Sequence, residues 1–113
     1  MNAIFGTASA IDPKELEVEF APLLVEGERM TAAFKNVRDL FVFTQKRLIL
    51  ADKQGIPYTS ISQFSVETAG IFDMDSELKI WISSNPLPLK KEFKKGADVV
   101  GLQKVLASYV LNR

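Results

Sequence analysis

The composition of this chain excludes several classes of protein. Its 113 residues include 14 Lys plus Arg and 14 Asp plus Glu, so the broad positive field typical of a nucleic-acid-binding protein is missing. Hydrophobic residues make up 47% and charged residues 25%, as in ordinary globular domains, and no apolar run approaches the roughly 20 residues of a membrane-spanning helix. The length suits one domain with a substantial core.

The sequence also lacks the residues that most often carry catalysis. It contains no Cys and no His, which excludes disulfides, thiolate nucleophiles and Cys-ligated zinc and removes the side chain best suited to proton transfer near neutral pH. A serine nucleophile would need a buried lysine base, and no spacing suggests one. We therefore predict a protein that is not an enzyme, with no cofactor and no metal. Without a secretory signal pattern at its start, we expect a cytoplasmic location.

The first predicted element is a short helix. Asp12, Pro13 and Glu15 form a helix-start pattern of a cap, a residue fixed near helical φ, and a carboxylate three places after the cap. Pro22 lacks the amide needed for continuation and is expected to end or kink the helix. The predicted apolar stripe consists of Leu16, Phe20, Leu23 and Leu24.

From residue 26 the pattern predicts strands. Residues 38–44 are apolar on both faces, which marks a central strand that is either covered on each side or faces a partner chain. A strand at 47–51 is followed by a turn in which Gly55 is expected to supply a positive φ. Residues 56–68 fit two short strands or one bent strand equally well.

The segment 61–83 predicts two strands joined by an acidic connection that contains Gly. In the second strand Leu78, Ile80 and Ile82 point one way and Trp81 points the other, because side chains in a strand alternate. Trp81 therefore lies on the face away from the core and needs a cover, which either a second subunit or a helix of the same subunit can provide.

The end of the chain predicts an edge strand and a helix. The lysine-rich strand at 89–95 carries Lys90, Lys91, Lys94 and Lys95, a composition that protects a sheet edge from unwanted pairing. Asp98 caps a helix with the apolar stripe Val99, Leu102, Leu106, Tyr109 and Val110. About seven strands and this helix predict a mainly β (α+β) fold, in which two packed antiparallel sheets are closed at one end by the C-terminal helix.

This order of elements matches a pleckstrin homology-like barrel. The chain resembles the bacterial pleckstrin homology domain family, formerly catalogued as a domain of unknown function, in the segments Gly6 to Ser9, 38–55, 64–83 and 92–96. Residues 1–25 would then form an N-terminal segment with the short helix, in one structural unit with a pleckstrin homology-like domain at 26–113. Relatives usually carry a further strand-forming stretch between the positions of Gly55 and Ile56, which are adjacent here. Either this member has lost part of a hairpin or the sequence omits residues at that point.

The resemblance implies a homo-oligomer, often ring-like, without known enzymatic activity. We accordingly predict a binding or scaffolding module that forms closed homo-oligomers, with itself as the partner and without nucleic acid; the sequence identifies no second protein partner. Large aromatic residues outside a core are enriched in protein interfaces. The predicted interface residues are Trp81, Phe41, Phe43 and Phe72.

The alternative function is a peripheral membrane module that binds anionic lipid headgroups. Lys35 and Arg38 flank the first strand connection, where eukaryotic pleckstrin homology domains commonly hold inositol phosphates between basic side chains. Two cations without a wider basic surface fall short of a phosphate site, so membrane binding is the less favoured function.

Carboxylates offer two further patterns. Asp73, Asp75 and Glu77 resemble the start of a calcium loop, but its required Gly and final Glu are replaced by Leu78 and Ser84, so an acidic turn is the better interpretation. Asp39 and Glu67 are a conceivable acid–base pair that nothing in the sequence places together.

Overall fold

The computed structural model describes residues 9–36, 39–68, 75–83, 85–94 and 96–112, which form two antiparallel sheets and a C-terminal helix. The first sheet has five strands in sequence order: β1 (Ser9–Ile11), β2 (Met30–Lys35), β3 (Leu40–Thr44), β4 (Arg47–Leu50) and β5 (Gly55–Pro57). The second sheet contains β6 (Ile61–Thr68), β7 (Ser76–Ile82) and β8 (Leu89–Phe93). The described part of the chain thus has eight strands rather than about seven.

The predicted N-terminal helix is a single α-helical turn, α1 (Glu17–Phe20), between two 3-10 turns at Pro13–Leu16 and Ala21–Leu23. We call Pro13 to Leu23 the N-terminal helical segment. As predicted, the Asp12 carboxylate caps its start by accepting a hydrogen bond from the Lys14 amide (3.0 Å), and the segment ends just after Pro22. Of the predicted stripe, Phe20 is fully buried, whereas Leu23 is 40% exposed.

Apolar side chains cover both faces of the five-stranded sheet within one subunit. Phe41 and Phe43 on β3 belong to the main core, which also contains residues of the second sheet and of α2 (Val99–Val110). Val42, on the opposite face of β3, packs with Phe20 and Ile49 in a second cluster. The two-faced strand predicted at 38–44 is therefore a central strand covered on each side, and the N-terminal helical segment provides the second cover.

The turn between β4 and β5 differs from the prediction. Lys53 adopts the positive φ (72°), while Gly55 already lies in β5 opposite Ile49. The side chain of Lys53 explains why a residue other than Gly takes this conformation: its Nζ lies 2.7 Å from the Glu19 carboxylate and 4.9 Å from the centre of the Phe20 ring. The turn thus closes earlier than predicted and ties the hairpin to the N-terminal helical segment.

The later elements follow the predicted patterns. Between positions 56 and 68, a 3-10 turn at Tyr58–Ser60 separates β5 from β6, so the two-strand alternative holds. Asp98 caps α2 by accepting a hydrogen bond from the Gly101 amide (3.0 Å). The buried residues of α2 are Val99, Leu102, Leu106 and Val110, with Tyr109 partly buried beside them. None of the described helices has the length and apolar character needed to cross a membrane.

Candidate functional site

Trp81 lies on the outer face of the three-stranded sheet, as the alternation in β7 predicts. Leu78 and Ile80 are buried in the main core, whereas Trp81 is only partly buried and belongs to neither apolar cluster. Its neighbour across the β6–β7 pair is Gln63, and the next pair on this face is Ser65 with Lys79. Trp81 is therefore an isolated aromatic ring on a polar sheet face.

A loop with two prolines brings another apolar side chain to the same end of the sheet. Because Ile80 pairs with Leu89, the loop that joins β7 to β8 lies at the Trp81 end of the strands. Its exposed tip is Leu87, which is 74% exposed between Pro86 and Pro88. Since proline fixes φ, little conformational entropy remains to be lost when this loop is bound. We call the outer face at this end, with Trp81 and Gln63, the Trp81 surface.

The two edges of the three-stranded sheet are unlike each other. At the β8 edge, the Asn36 side-chain amide donates to the Glu92 carbonyl (3.0 Å) and Lys91 pairs with Asp39 (3.1 Å). Within the described ranges β6 pairs only with β7, and its sequence contains no Lys, Arg or Pro. Because such residues normally guard an edge strand, the β6 edge carries less protection against pairing than the β8 edge.

The prediction that Phe41 and Phe43 line an interface is corrected by their burial. Both side chains are fully buried inside the subunit. Phe41 stacks on Phe93 with ring centres 5.6 Å apart, and Phe43 meets Phe34 edge to face at 6.1 Å. Their strand is apolar on both faces because two layers of the same subunit cover it. Phe72 lies outside the described residues.

The remaining predicted site residues are described only in part. Lys35 is exposed at the end of β2, while Arg38 lies outside the described residues, as does Asp73. The other carboxylates each lie beside a lysine: Asp39 with Lys91, Glu67 with Lys79 (3.3 Å), Glu77 also with Lys79 (3.8 Å) and Asp75 with Lys94 (3.7 Å). No group of acidic side chains in the described ranges is arranged to hold a metal ion.

The structure contains a buried ion pair that the sequence patterns do not reveal. The carboxylate of Glu28 receives two hydrogen bonds from Arg47 (2.9 and 3.1 Å) and one from the Thr44 hydroxyl (2.7 Å). The Val25 amide donates a fourth (3.0 Å). Burial by itself raises the pKa of Glu28, but these donors and the charge of Arg47 outweigh it and lower the pKa from 4.5 to about 2.

A buried tyrosine extends this network to the C-terminal helix. The Tyr58 hydroxyl lies 2.7 Å from the Thr44 carbonyl oxygen, and its ring stacks on Tyr109 with centres 4.7 Å apart. The Tyr109 hydroxyl is 2.6 Å from Thr31 Oγ1. Burial is the main cause that raises the pKa of Tyr58. The hydroxyl of Tyr58 therefore stays protonated and donates its hydrogen bond. The network fixes the β3–β4 turn, β2 and α2 to one another, which is a structural role.

Next to Glu28 is a cleft of about 360 Å³ between the N-terminal helical segment and the start of β2. We call it the N-terminal cleft. Both apolar and charged residues line it, and they are Pro13, Lys14, Glu17, Ala21, Leu24, Val25, Glu28, Arg29 and Met30. Its volume falls at the low end of the range of small-molecule sites.

The ionised Glu28 predicts a loss of stability in acid. Because its pKa in the folded protein lies below the ordinary value, its stabilising effect is complete above about pH 4.5 and is lost as the pH falls through about 2. The difference between 4.5 and about 2 corresponds to about 3 kcal/mol. Urea unfolding between pH 7 and pH 2.5 measures the decline. Glu28→Gln removes this titration and should flatten the decline; an unchanged slope would contradict the assignment.

Comparison with known proteins supports the pleckstrin homology-like fold. A family model described as bacterial PH domain matches residues 1–110. The uncharacterized protein YjqA of Bacillus subtilis (strain 168) is 54% identical over an alignment that covers 96% of this chain and 95% of YjqA. That alignment spans 119 residues, more than the 113 of this chain, so YjqA contains residues that are missing here.

Two solved structures share the fold over nearly their full length. The pleckstrin homology domain from Shewanella amazonensis SB2B superimposes with a TM-score of 0.80 at 53% identity, covering 88% of this chain and 89% of that one. A DUF1696-family protein with a pleckstrin homology domain from Shewanella loihica PV-4 gives 0.76 at 45% identity, covering 94% and 99%. The chain belongs to the bacterial pleckstrin homology domain family.

Proposed function

We propose that this protein is a non-enzymatic binding or scaffolding module that associates with copies of itself into closed homo-oligomers. The observation that carries the proposal is the position of Trp81, a partly buried indole on a polar sheet face. The part of the Trp81 side chain that stays in water gives up its share of the hydrophobic gain, and a second subunit that covers this part recovers it. The family resemblance to self-associating domains points to the same partner.

The β6 edge, which lacks guarding residues, is a candidate for a second contact. Phe64 and Val66 on its inner face are only partly buried, although both pack against the main core. A strand or loop of a neighbouring copy along this edge would pair with the exposed backbone and cover both side chains. The β8 edge is already occupied by contacts from Asn36 and Asp39. If β6 of one copy meets a different surface of the next copy, the contact is heterologous, and a heterologous contact that closes on itself forms a ring.

Composition supports a role in binding rather than in chemistry. Without His and Cys, the chain has few groups that act as a base or nucleophile near neutral pH. The buried Glu28 and Tyr58 are both engaged in the structural network. The absence of Cys also fits the reducing environment of the cytoplasm, where we place the protein.

Trp81→Ala is expected to lower the assembled mass measured by light scattering without unfolding the subunit. The free energy of unfolding should change by less than about 1 kcal/mol, as for other surface positions outside the core. Leu111→Ala is a matched control, because Leu111 is an exposed apolar residue at the far end of α2, and it should leave the mass unchanged. An assembled mass that does not respond to Trp81→Ala would refute the interface assignment.

A further inference from the structure

The outer face of the three-stranded sheet carries two rows of charge that run across the strands. Lys79 of β7 lies directly opposite Lys90 of β8, and we call these two residues the lysine row. Two residues further along the strands, at a distance of roughly 7 Å, Glu77 lies between Glu67 of β6 and Glu92 of β8. We call these three residues the glutamate row. The two rows are parallel, adjacent and opposite in sign.

The rows lie on the same face as the Trp81 surface. Because side chains alternate along β7, the outward Trp81 is preceded in the strand by the outward Lys79 and Glu77. Asp75, two residues before Glu77, lies at the far end of this face, where it pairs with Lys94 (3.7 Å). The order along the face is therefore the Trp81 surface, the lysine row, the glutamate row and the pair of Asp75 with Lys94.

This order of charges is unfavourable within one subunit. Like charges that lie directly opposite each other on neighbouring strands destabilise a sheet, and both rows consist of such neighbours. Lys79 offsets part of the repulsion, because its Nζ lies 3.3 Å from Glu67 and 3.8 Å from Glu77. Lys90 and Glu92 are exposed, and their side chains form no ion pair with any other residue that the structure describes. A partner with charged rows in the reverse order would offset the rest.

The face is its own electrostatic complement. A half-turn about an axis that lies between the two rows and parallel to them places a second copy face to face with the first, with the strands of the two sheets antiparallel. Sheets that pack face to face commonly keep their strands aligned in this way. Lys90 then lies over Glu92 of the second copy and Lys79 over Glu77, and the symmetry makes each contact twice.

We propose that the lysine and glutamate rows pair two copies of this chain face to face with two-fold symmetry. The inference rests on the proposed function and names the contact that covers Trp81. The same half-turn brings Trp81 of each copy to Lys94 of the other. There the methylene stem of the lysine covers the indole ring and its ammonium group lies near the ring face. Because every subunit has one such partner, the complete assembly contains an even number of subunits.

The size of the face indicates how strong this contact is. Three strands of about seven residues present roughly 350 Å² per copy, less than half the roughly 800 Å² per partner of a stable complex. The contact is therefore weak and largely electrostatic, and a second contact at the β6 edge would add to it. Raising the salt concentration from about 0.05 to 0.5 M should weaken pairing, since it screens exposed charges.

Exchanging the charges on β8 tests the symmetry of the contact. Lys90→Glu makes both exposed positions of β8 acidic and Glu92→Lys makes both basic, so each variant alone places like charges over each other. The concentration at which half of the subunits are paired, measured by sedimentation, is expected to rise at least about tenfold for each. An equimolar mixture of the two variants restores opposite charges and should pair as the wild type does. The double variant Lys90→Glu/Glu92→Lys should also pair normally.

The stability of the subunit is the readout that keeps these results interpretable. Lys90→Glu creates an opposite-charge neighbour for Lys79, and Glu92→Lys creates one for Glu77, so neither variant should lower the urea midpoint of unfolding. Lys104→Glu is the matched control, because Lys104 is an exposed cation on α2, and it should pair as the wild type does.

Three results would overturn the inference. They are normal pairing of both single variants, a mixture of the two that stays unpaired, and a double variant that does not recover, which would mean that the rows meet a different surface. In each case the proposed function stands if the wild type assembles and Trp81→Ala lowers its mass. A wild-type protein that remains one subunit at every concentration overturns both.

Discussion

Phe41→Ala is expected to lower the free energy of unfolding by about 4 kcal/mol, the largest effect we predict. The Phe41 ring is fully buried in the middle of β3 and stacks on Phe93 of β8, so it joins the two sheets. Removing it loses the hydrophobic gain of the ring and leaves a cavity that the surrounding strands fill only in part. Urea unfolding followed by circular dichroism measures the change.

The same measurement tests whether Phe41 is a core residue rather than an interface residue. A core residue changes the stability of the subunit itself, so Phe41→Ala should destabilise the protein under conditions that keep it dissociated as well as in the assembly. Trp81→Ala provides the contrast, with a small effect on stability and a large effect on mass. If Phe41→Ala changed the assembled mass and left the stability of the subunit intact, the position of β3 in the core would be wrong.

Arg47→Met is expected to lower the free energy of unfolding by about 3 kcal/mol. Methionine keeps much of the apolar volume of arginine but leaves the Glu28 carboxylate buried without its counter-charge, which is a costly state. The Leu23 carbonyl loses its donor in the same variant. The Arg47 side chain is 27% exposed, whereas that of Glu28 is 1% exposed, so the predicted loss lies at the lower end of the values for fully buried pairs.

Two further variants separate the ion pair from other effects of the substitution. Lys53→Met breaks the ion pair between Lys53 and Glu19, in which both side chains are well exposed. This variant should lower the free energy of unfolding by less than about 1 kcal/mol. The double variant Glu28→Gln/Arg47→Met removes both charges and should recover part of the loss seen in Arg47→Met. A double variant that is less stable than Arg47→Met would show that the buried charge is not the cause.

Periodic elements are the part of this fold that the sequence predicts well. The alternation in β7 predicts buried Leu78 and Ile80 and an outward Trp81, because a strand side chain has only two faces to choose from. The 3.6-residue period predicts the buried side of α2 in the same way. In both cases the pattern predicts which side faces the core, and a capping residue such as Asp98 marks where the helix begins.

The residues that the sequence does not predict are those whose roles depend on distant partners. Phe41 and Phe43 belong to a strand that is apolar on both faces, and the pattern cannot distinguish a second layer of the same subunit from a second subunit. Glu28 sits in a polar loop with no periodicity, and its partner Arg47 is 19 residues away in the chain. Lys53 takes a position that turn rules give to Gly, because contacts with Glu19 and Phe20 hold it there.

The mass of the purified protein in solution, measured by sedimentation over a wide range of concentrations, tests self-association most directly. The proposal predicts a closed assembly, whose mass rises with concentration only up to a fixed multiple of the 12.6 kDa subunit and then stays constant, because a closed ring leaves no contact unfilled. A mass of one subunit at every concentration would contradict the proposal, since Trp81 would then have no partner to cover it.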